Sequence, residues 1–156
     1  MVKDESRAAP TQARPAIGRL RNLPSWLLYQ AARRADQRVL QALSKAGSSR
    51  YHYSVLAALG EFGPTSQADL GRRCDIDRSD VFAVVNELVE RRWVERTQDP
   101  VDRRRNIVTI TPAGLRQSLQ LDRTLEEMQD VLLEPLAERE REQLVQLLTR
   151  VLDHNS

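Results

Sequence analysis

Two short runs of β-forming residues, Trp93 to Thr97 and Ile107 to Ile110, flank a segment that reads Asp-Pro-Val-Asp-Arg-Arg-Arg-Asn from position 99 to 106. Runs of this length and composition, separated by turn formers, predict a β-hairpin. Asp99, Pro100, Asp102 and Asn106 supply the turn chemistry that lets its tip project. The tip then carries three adjacent guanidinium groups, Arg103, Arg104 and Arg105. A solvated charged loop is the ordinary reading of such an arginine run. The elements around the hairpin have to decide between a bland loop and a working surface.

Upstream, the apolar residues recur at helical spacing. Leu23, Trp26, Leu27, Ala31, Ala35, Val39 and Leu43 mark a first long helix that Gly47 stops. A second runs from about Arg50 to Glu61 through Tyr53, Leu56, Ala57 and Leu59, and ends at Gly63-Pro64. Ser66 with Asp69 forms a capping pair opening a third helix, with Ala68 and Leu70 expected inward. Cys74-Asp75-Ile76 is the turn, and Asp77 is placed to cap a fourth helix with Val81, Val84, Val85 and Leu88 on one face. After the hairpin, Thr111-Pro112 pairs an N-cap with proline at the first helical position. It opens a long helix through Leu115, Leu119, Leu125, Met128 and Val131. Pro135 breaks that pattern, and a last helix from about Ala137 carries Leu144, Leu147, Leu148, Val151 and Leu152.

Charge is distributed unevenly along these elements. Residues 19–111 hold 16 Lys and Arg against 11 Asp and Glu, whereas residues 112–156 hold 5 against 9. A basic centre beside an acidic end fits one region facing phosphate and another facing elsewhere. Of the 24 cations 22 are arginine, the residue suited to bidentate phosphate and guanine contacts, although genome composition also biases arginine use. At 156 residues the chain is expected to be one domain with a real core. No apolar run approaches the roughly 20 residues that span a bilayer, and no signal-type stretch opens the chain, so a cytoplasmic, non-membrane location is expected. The lone Cys74 excludes an internal disulfide. With two histidines, His52 and His154, and no Gly-rich phosphate loop, neither a metal set nor a catalytic triad is evident, and no enzyme activity or cofactor is expected.

Two short helices joined by a tight turn, followed by a basic hairpin, make a winged helix-turn-helix, a reader of double-stranded DNA. The expected fold is therefore mainly α with a small β-hairpin wing, flanked by N- and C-terminal dimerisation helices. Stripes such as Leu144, Leu147, Leu148 and Val151 need cover that the small centre does not provide, which points to a two-fold homodimer. A larger monomeric core is the alternative. Residues 1–18, with Pro10 and Pro15 and no apolar period, read as a flexible arm. Residues 19–153 form the domain, with 19–47 and 112–153 as dimerisation helices and 48–111 as the winged unit.

In its order of elements and in its hairpin, the chain resembles the MarR family of bacterial transcriptional regulators. The family's wing pattern is Asp-x-Arg, five residues, an aliphatic residue, Thr, two residues, Gly. Here it reads Asp102-Arg103-Arg104, Arg105 to Thr109, Ile110-Thr111, Pro112-Ala113, Gly114. The resemblance implies that Arg103 to Arg105 enter the minor groove or lie along phosphate, with Arg104 as the wing arginine and Asp102 holding the loop in shape. It implies that Arg78, Ser79, Asp80, Phe82 and Ala83 face the major groove, and that Ser66 and Gln67 touch backbone phosphate. Two departures stand out. Asp80 and Ala83 replace the hydroxyl and arginine common in relatives; Asp80 could accept from cytosine N4 or simply favour the helix N-terminus. Arg92 stands where relatives favour Gly.

Many family members lose DNA affinity on binding a small aromatic or acidic effector. Trp26, Tyr29 and Arg33, on one face of the first helix, and Tyr51, His52 and Tyr53, opening the second, are the candidate lining. The competing reading makes Trp26 and Tyr53 ordinary core and His52 surface. Cys74 lies at the helix-turn-helix bend, where a small buried residue is favoured over a redox sensor. The functional expectation is a ligand-responsive homodimeric repressor at a palindromic operator. The alternatives are a non-specific architectural DNA binder and a winged-helix module facing a protein or RNA.

Overall fold

The computed structural model describes residues 18–154, so the arm expected at 1–18 lies outside the described residues but for Gly18. The helices are α1 (Gly18–Arg21), α2 (Pro24–Lys45), α3 (Arg50–Phe62), α4 (Gln67–Cys74), α5 (Arg78–Glu90), α6 (Pro112–Leu132) and α7 (Glu138–His154). The strands are β1 (Thr65–Ser66), β2 (Val94–Gln98) and β3 (Asn106–Ile110), joined as one antiparallel sheet in the order β1-β3-β2. Two compact units divide within α2, the first ending at Arg34 and the second beginning at Ala35. In the first unit Trp26 is half-buried, and Leu23, Leu27, Leu28 and Tyr29 are exposed.

The second unit is built around α3. Val55, Leu56 and Leu59 meet Leu43, Leu70, Val81, Val85, Leu88, Val94, Val108 and Leu121 in one fully enclosed cluster. Truncating a leucine at such a site costs about 2–5 kcal/mol. Local chemistry sets the helix ends. At the end of α2 the Gly47 amide bonds the Ser44 carbonyl and the Ser48 amide bonds that of Leu43, with Gly47 at φ +68°. This is the left-handed stop that glycine favours. The same pattern closes α5: the Arg92 amide donates to Val89 and the Trp93 amide to Leu88, with Arg92 held at φ +59°. An arginine thus occupies a backbone conformation that suits glycine. Asp75, at φ 51°, ends α4 and begins the turn into α5.

Several inward faces differ from the periodic reading. In α4, Ala68 is exposed, and Gly71 joins Leu70 inside. A Cβ at 71 would lie 3.1 Å from the Ile76 carbonyl oxygen and 3.5 Å from Val81, so glycine suits the close approach of α4 to α5. In α6 the buried stripe is Gly114, Ser118, Leu121 and Met128, while Leu115, Leu119 and Val131 are exposed. Asp77 stands at the cap of α5 without a side-chain capping bond. β1 has no counterpart in the local pattern: its two residues pair with Val108 and Ile107.

The wing meets α6 at a single tight junction. The Trp93 carbonyl accepts the Thr111 amide at 3.0 Å. The Thr111 hydroxyl lies 2.7 Å from the Arg92 carbonyl oxygen and accepts the Gly114 amide at 3.0 Å. A Cβ at position 114 would lie 1.9 Å from the Trp93 carbonyl oxygen. Gly114→Ala is therefore expected to destabilise the fold by about 3 kcal/mol, read as a fall of roughly 10 °C in thermal midpoint. Arg92→Gly is expected to go the other way, raising stability by about 0.5–1 kcal/mol as left-handed strain is relieved. A lowered midpoint in Arg92→Gly would show that the arginine side chain outweighs its backbone.

Candidate nucleic-acid interface

The wing tip is shaped by two aspartates. The Asp99 amide donates to the Arg105 carbonyl at 3.0 Å, closing the loop between β2 and β3. The Asp99 carboxylate accepts the Val101 amide at 2.8 Å and that of Asp102 at 3.3 Å. Asp102 accepts the Arg104 amide at 3.0 Å. Each short acid thus folds the chain back on itself, the turn geometry these residues favour. Arg103 and Arg104 are exposed, and among the described residues their guanidinium groups have no side-chain partner.

Arg105 differs from its neighbours. Its Nη2 donates to the Ser66 hydroxyl and to the Asp69 carboxylate, each at 3.0 Å. Asp69 also pairs with Arg72, accepts from the Ser66 hydroxyl, and donates its amide to that hydroxyl at 3.2 Å. Arg105 is therefore a strut from the wing to the N-terminus of α4. Ser66, expected to touch phosphate, is buried with its hydroxyl already committed to Asp69 and Arg105. Gln67 beside it is half-buried, its side-chain oxygen enclosed and without a protein partner among the described residues.

Between α4, α5 and the wing runs a groove of about 1080 Å³. It brings together Ser66, Gln67, Arg78, Ser79, Phe82, Arg104 and Arg105, which the sequence had singled out, and adds Arg72 and Asn106. Asp80 and Ala83 are exposed on α5, Asp80 in its first turn, where a carboxylate complements the helix dipole. One residue not foreseen backs the same helix: Arg96 on β2 donates to Asn86 of α5 at 2.7 Å, and its guanidinium carbon lies 5.7 Å from the Phe82 ring centre. Nothing local in the sequence ties a strand arginine to a helix asparagine.

The residues expected to line an effector site have varied surroundings. In the first unit, Arg33 sits 5.8 Å over the exposed Tyr29 ring, as their spacing predicts, and Trp26 is half-buried. Tyr51, His52 and Tyr53 do not form one wall, because successive residues of a helix point about 100° apart. Tyr51 is exposed. His52, expected at the surface in the competing reading, is only 3% exposed; its Nε2 lies 2.8 Å from Glu87 and its ring meets Trp93 edge-on. The Tyr53 hydroxyl donates to Asp122 at 2.9 Å, and burial, with that carboxylate, pushes its pKa up. Separately, a cleft of about 530 Å³ opens between α2 and α6, with Arg38 and Lys45 opposite Thr124 and Glu127 and Met128 among its apolar lining. Cys74 is half-buried, its thiol 3.5 Å from the Ser54 carbonyl, and burial raises its pKa, which disfavours the reactive thiolate.

The aspartates give the site a pH signature. Backbone donors from Val101 and Asp102 hold Asp99 below the ordinary carboxylate range, and the Ser66 hydroxyl, with Arg72 and Arg105, does so for Asp69. A lowered folded pKa stabilises the structure above the unfolded value of about 3.9, and the benefit is lost as pH falls through the lower folded value. In a carboxyl NMR titration, Asp99 should titrate below about 3.9, with the Val101 and Asp102 amide shifts moving in parallel. A midpoint at or above the ordinary value would remove these bonds from the folded wing.

Comparison with known proteins agrees with this geometry. The MarR family model matches residues 46–105, from the end of α2 to the wing. A crystal structure of a probable transcriptional regulator from Pseudomonas aeruginosa is 32% identical, covering 85% of this chain and 98% of that one, with a TM-score of 0.73. The PcaV transcriptional regulator of Streptomyces coelicolor is also 32% identical over 81% of this chain and 96% of its own, with a TM-score of 0.67, and has a structure in complex with its natural ligand. The transcriptional repressor NicR of Pseudomonas putida is 29% identical over 101 residues, 65% of this chain and 64% of NicR, so the chain spans just under two thirds of that curated relative. With the Asp102 to Gly114 pattern intact and a wing beside a helix-turn-helix, the chain belongs to the MarR family of transcriptional regulators.

Proposed function

We propose that the protein is a homodimeric, sequence-specific DNA-binding repressor of a palindromic operator, responsive to a small effector. The observation that carries the reading is the groove flanked by α5 and by the wing, with Arg78 and Ser79 on one side and Arg104 on the other. A helix of this exposure fits the major groove, and arginines on a projecting loop suit phosphate or a narrow minor groove. Arg105, tied to Asp69, sets the position of the wing rather than meeting DNA.

The dimer is supported by apolar side chains left exposed on the terminal helices: Leu115 and Leu119 on α6, Val145 and Leu147 on α7. The helix α7 has no buried residue of its own. Such faces need a partner, and a second copy is the economical one. An aromatic or acidic effector is supported by the ligand complex of PcaV and by the cationic and aromatic side chains of Tyr29 and Arg33. Repression is supported by the likeness to NicR. Among the described residues no helix is long and apolar enough to cross a membrane.

The test is fluorescence anisotropy on duplex DNA from upstream of the gene against a scrambled duplex, at two salt concentrations. Preference of roughly a thousandfold for the native duplex is expected. Equal, salt-steep binding to both would instead mark an architectural protein. Arg103→Ala and Arg104→Ala should each weaken binding to all sequences and flatten the salt slope by about one, with sedimentation and fold unchanged. Arg105→Ala should lose affinity while keeping the salt slope, as expected of a strut. Unchanged affinity in both Arg103→Ala and Arg104→Ala would take the wing out of the mechanism.

A further inference from the structure

Phe82 is 52% exposed on α5, in a groove otherwise lined mainly by polar and cationic groups. Its neighbours on the same helix face, by three- and four-residue spacing, are Ser79 and Asn86, with exposed Ala83 adjacent. Arg78, four residues before it, is the charged residue of that face at the helix N-terminus, and the residues beside the ring itself are small or uncharged. The ring is also held in place. The Arg96 guanidinium carbon lies 5.7 Å from its centre, and the same guanidinium donates to Asn86 at 2.7 Å. Arg96 is thus engaged on the helix itself, and the ring's free side is turned to the groove.

A large apolar side chain left in water gains by burial only where it meets another apolar group. The aliphatic residues that share its groove, Ile76 and Val81, are buried, and Arg78, Arg104, Arg105, Gln67 and Asn106 line much of the remainder. The major groove displays one apolar group, the C5 methyl of thymine. We infer that Phe82 is a specificity-determining residue that reads a thymine methyl in each half-site. This assignment rests on the duplex-reading function proposed above and adds the base chemistry it selects.

The experiment begins by selecting a preferred site from randomised duplexes with the full-length protein. Each thymine of that site is then replaced in turn by deoxyuridine, which pairs identically but lacks the methyl. Wild type should lose affinity about fourfold at one or two positions per half-site, the worth of one buried methyl-sized group. Phe82→Ala should bind the parent and the uridine duplexes equally at those positions, and Phe82→Leu, still apolar, should keep part of the difference. Thermal midpoints of both variants should match wild type, because the ring is exposed. If a site is enriched and wild type is indifferent to every uridine, the assignment is overturned while sequence-specific binding stands. A uridine penalty of equal size in Phe82→Ala also overturns it. If no duplex is enriched at all, the DNA-reading function fails and the assignment falls with it.

Discussion

The approach of α6 to the Trp93 carbonyl is the contact on which the rest of the structure depends. Gly114 removes the side chain that would collide there, and Thr111 ties the cap of α6 to the carbonyls of Arg92 and Trp93. That junction fixes where β2 begins. It also closes α5, because the Trp93 amide is spent on Leu88. Arg91 lies 5.0 Å over the Trp93 ring and donates to the Gly47 carbonyl, and His52 meets the same ring on its way to Glu87. One residue pair thus joins the strand, α5, α3 and the end of α2. A shift in α6 would be felt at the wing through packed and hydrogen-bonded groups. Such a linkage is what a regulator needs if effector and DNA are to favour different states.

The three wing arginines show how environment divides identical side chains into separate tasks. Arg105 meets a carboxylate that already accepts from a serine and a second arginine, so its guanidinium is held by hydrogen bonds within the fold. Arg103 and Arg104 project from a loop whose turns are closed by Asp99 and Asp102 through backbone amides, leaving their guanidinium groups exposed. The acids in this basic loop do not work against it. They accept backbone donors at the turn and so spare the guanidinium groups from internal pairing.

Much of this was legible because it is local. Helix starts at Ser66 and Thr111, the stop at Gly47, the proline at 112 and the Asp-rich hairpin are read from neighbours a few residues apart, and the structure has them in place. The inward faces were less legible. The apolar residues of α6 form two stripes, and periodicity followed Leu115 and Leu119, while the fold buries Gly114, Ser118 and Leu121. Gly71 was passed over for Ala68 because hydrophobicity ranks alanine as the better core residue, whereas the close approach of α4 to α5 favours the smaller one. His52 was read as effector lining or, alternatively, as surface, because its partners, Glu87 and Trp93, lie more than thirty residues away.

The sequence by itself determined the order of elements, the basic tip of the wing and the family pattern, since spacing, caps and turn residues act within a few positions of the chain. Only the tertiary structure decided that Ser66 is sealed beneath Arg105, that β1 completes the sheet, and that Arg96 backs Phe82 from a strand. These depend on which surfaces meet after collapse. A residue commits its hydrogen bonds and charge to whatever the fold brings beside it, and that partner is not written in its neighbours.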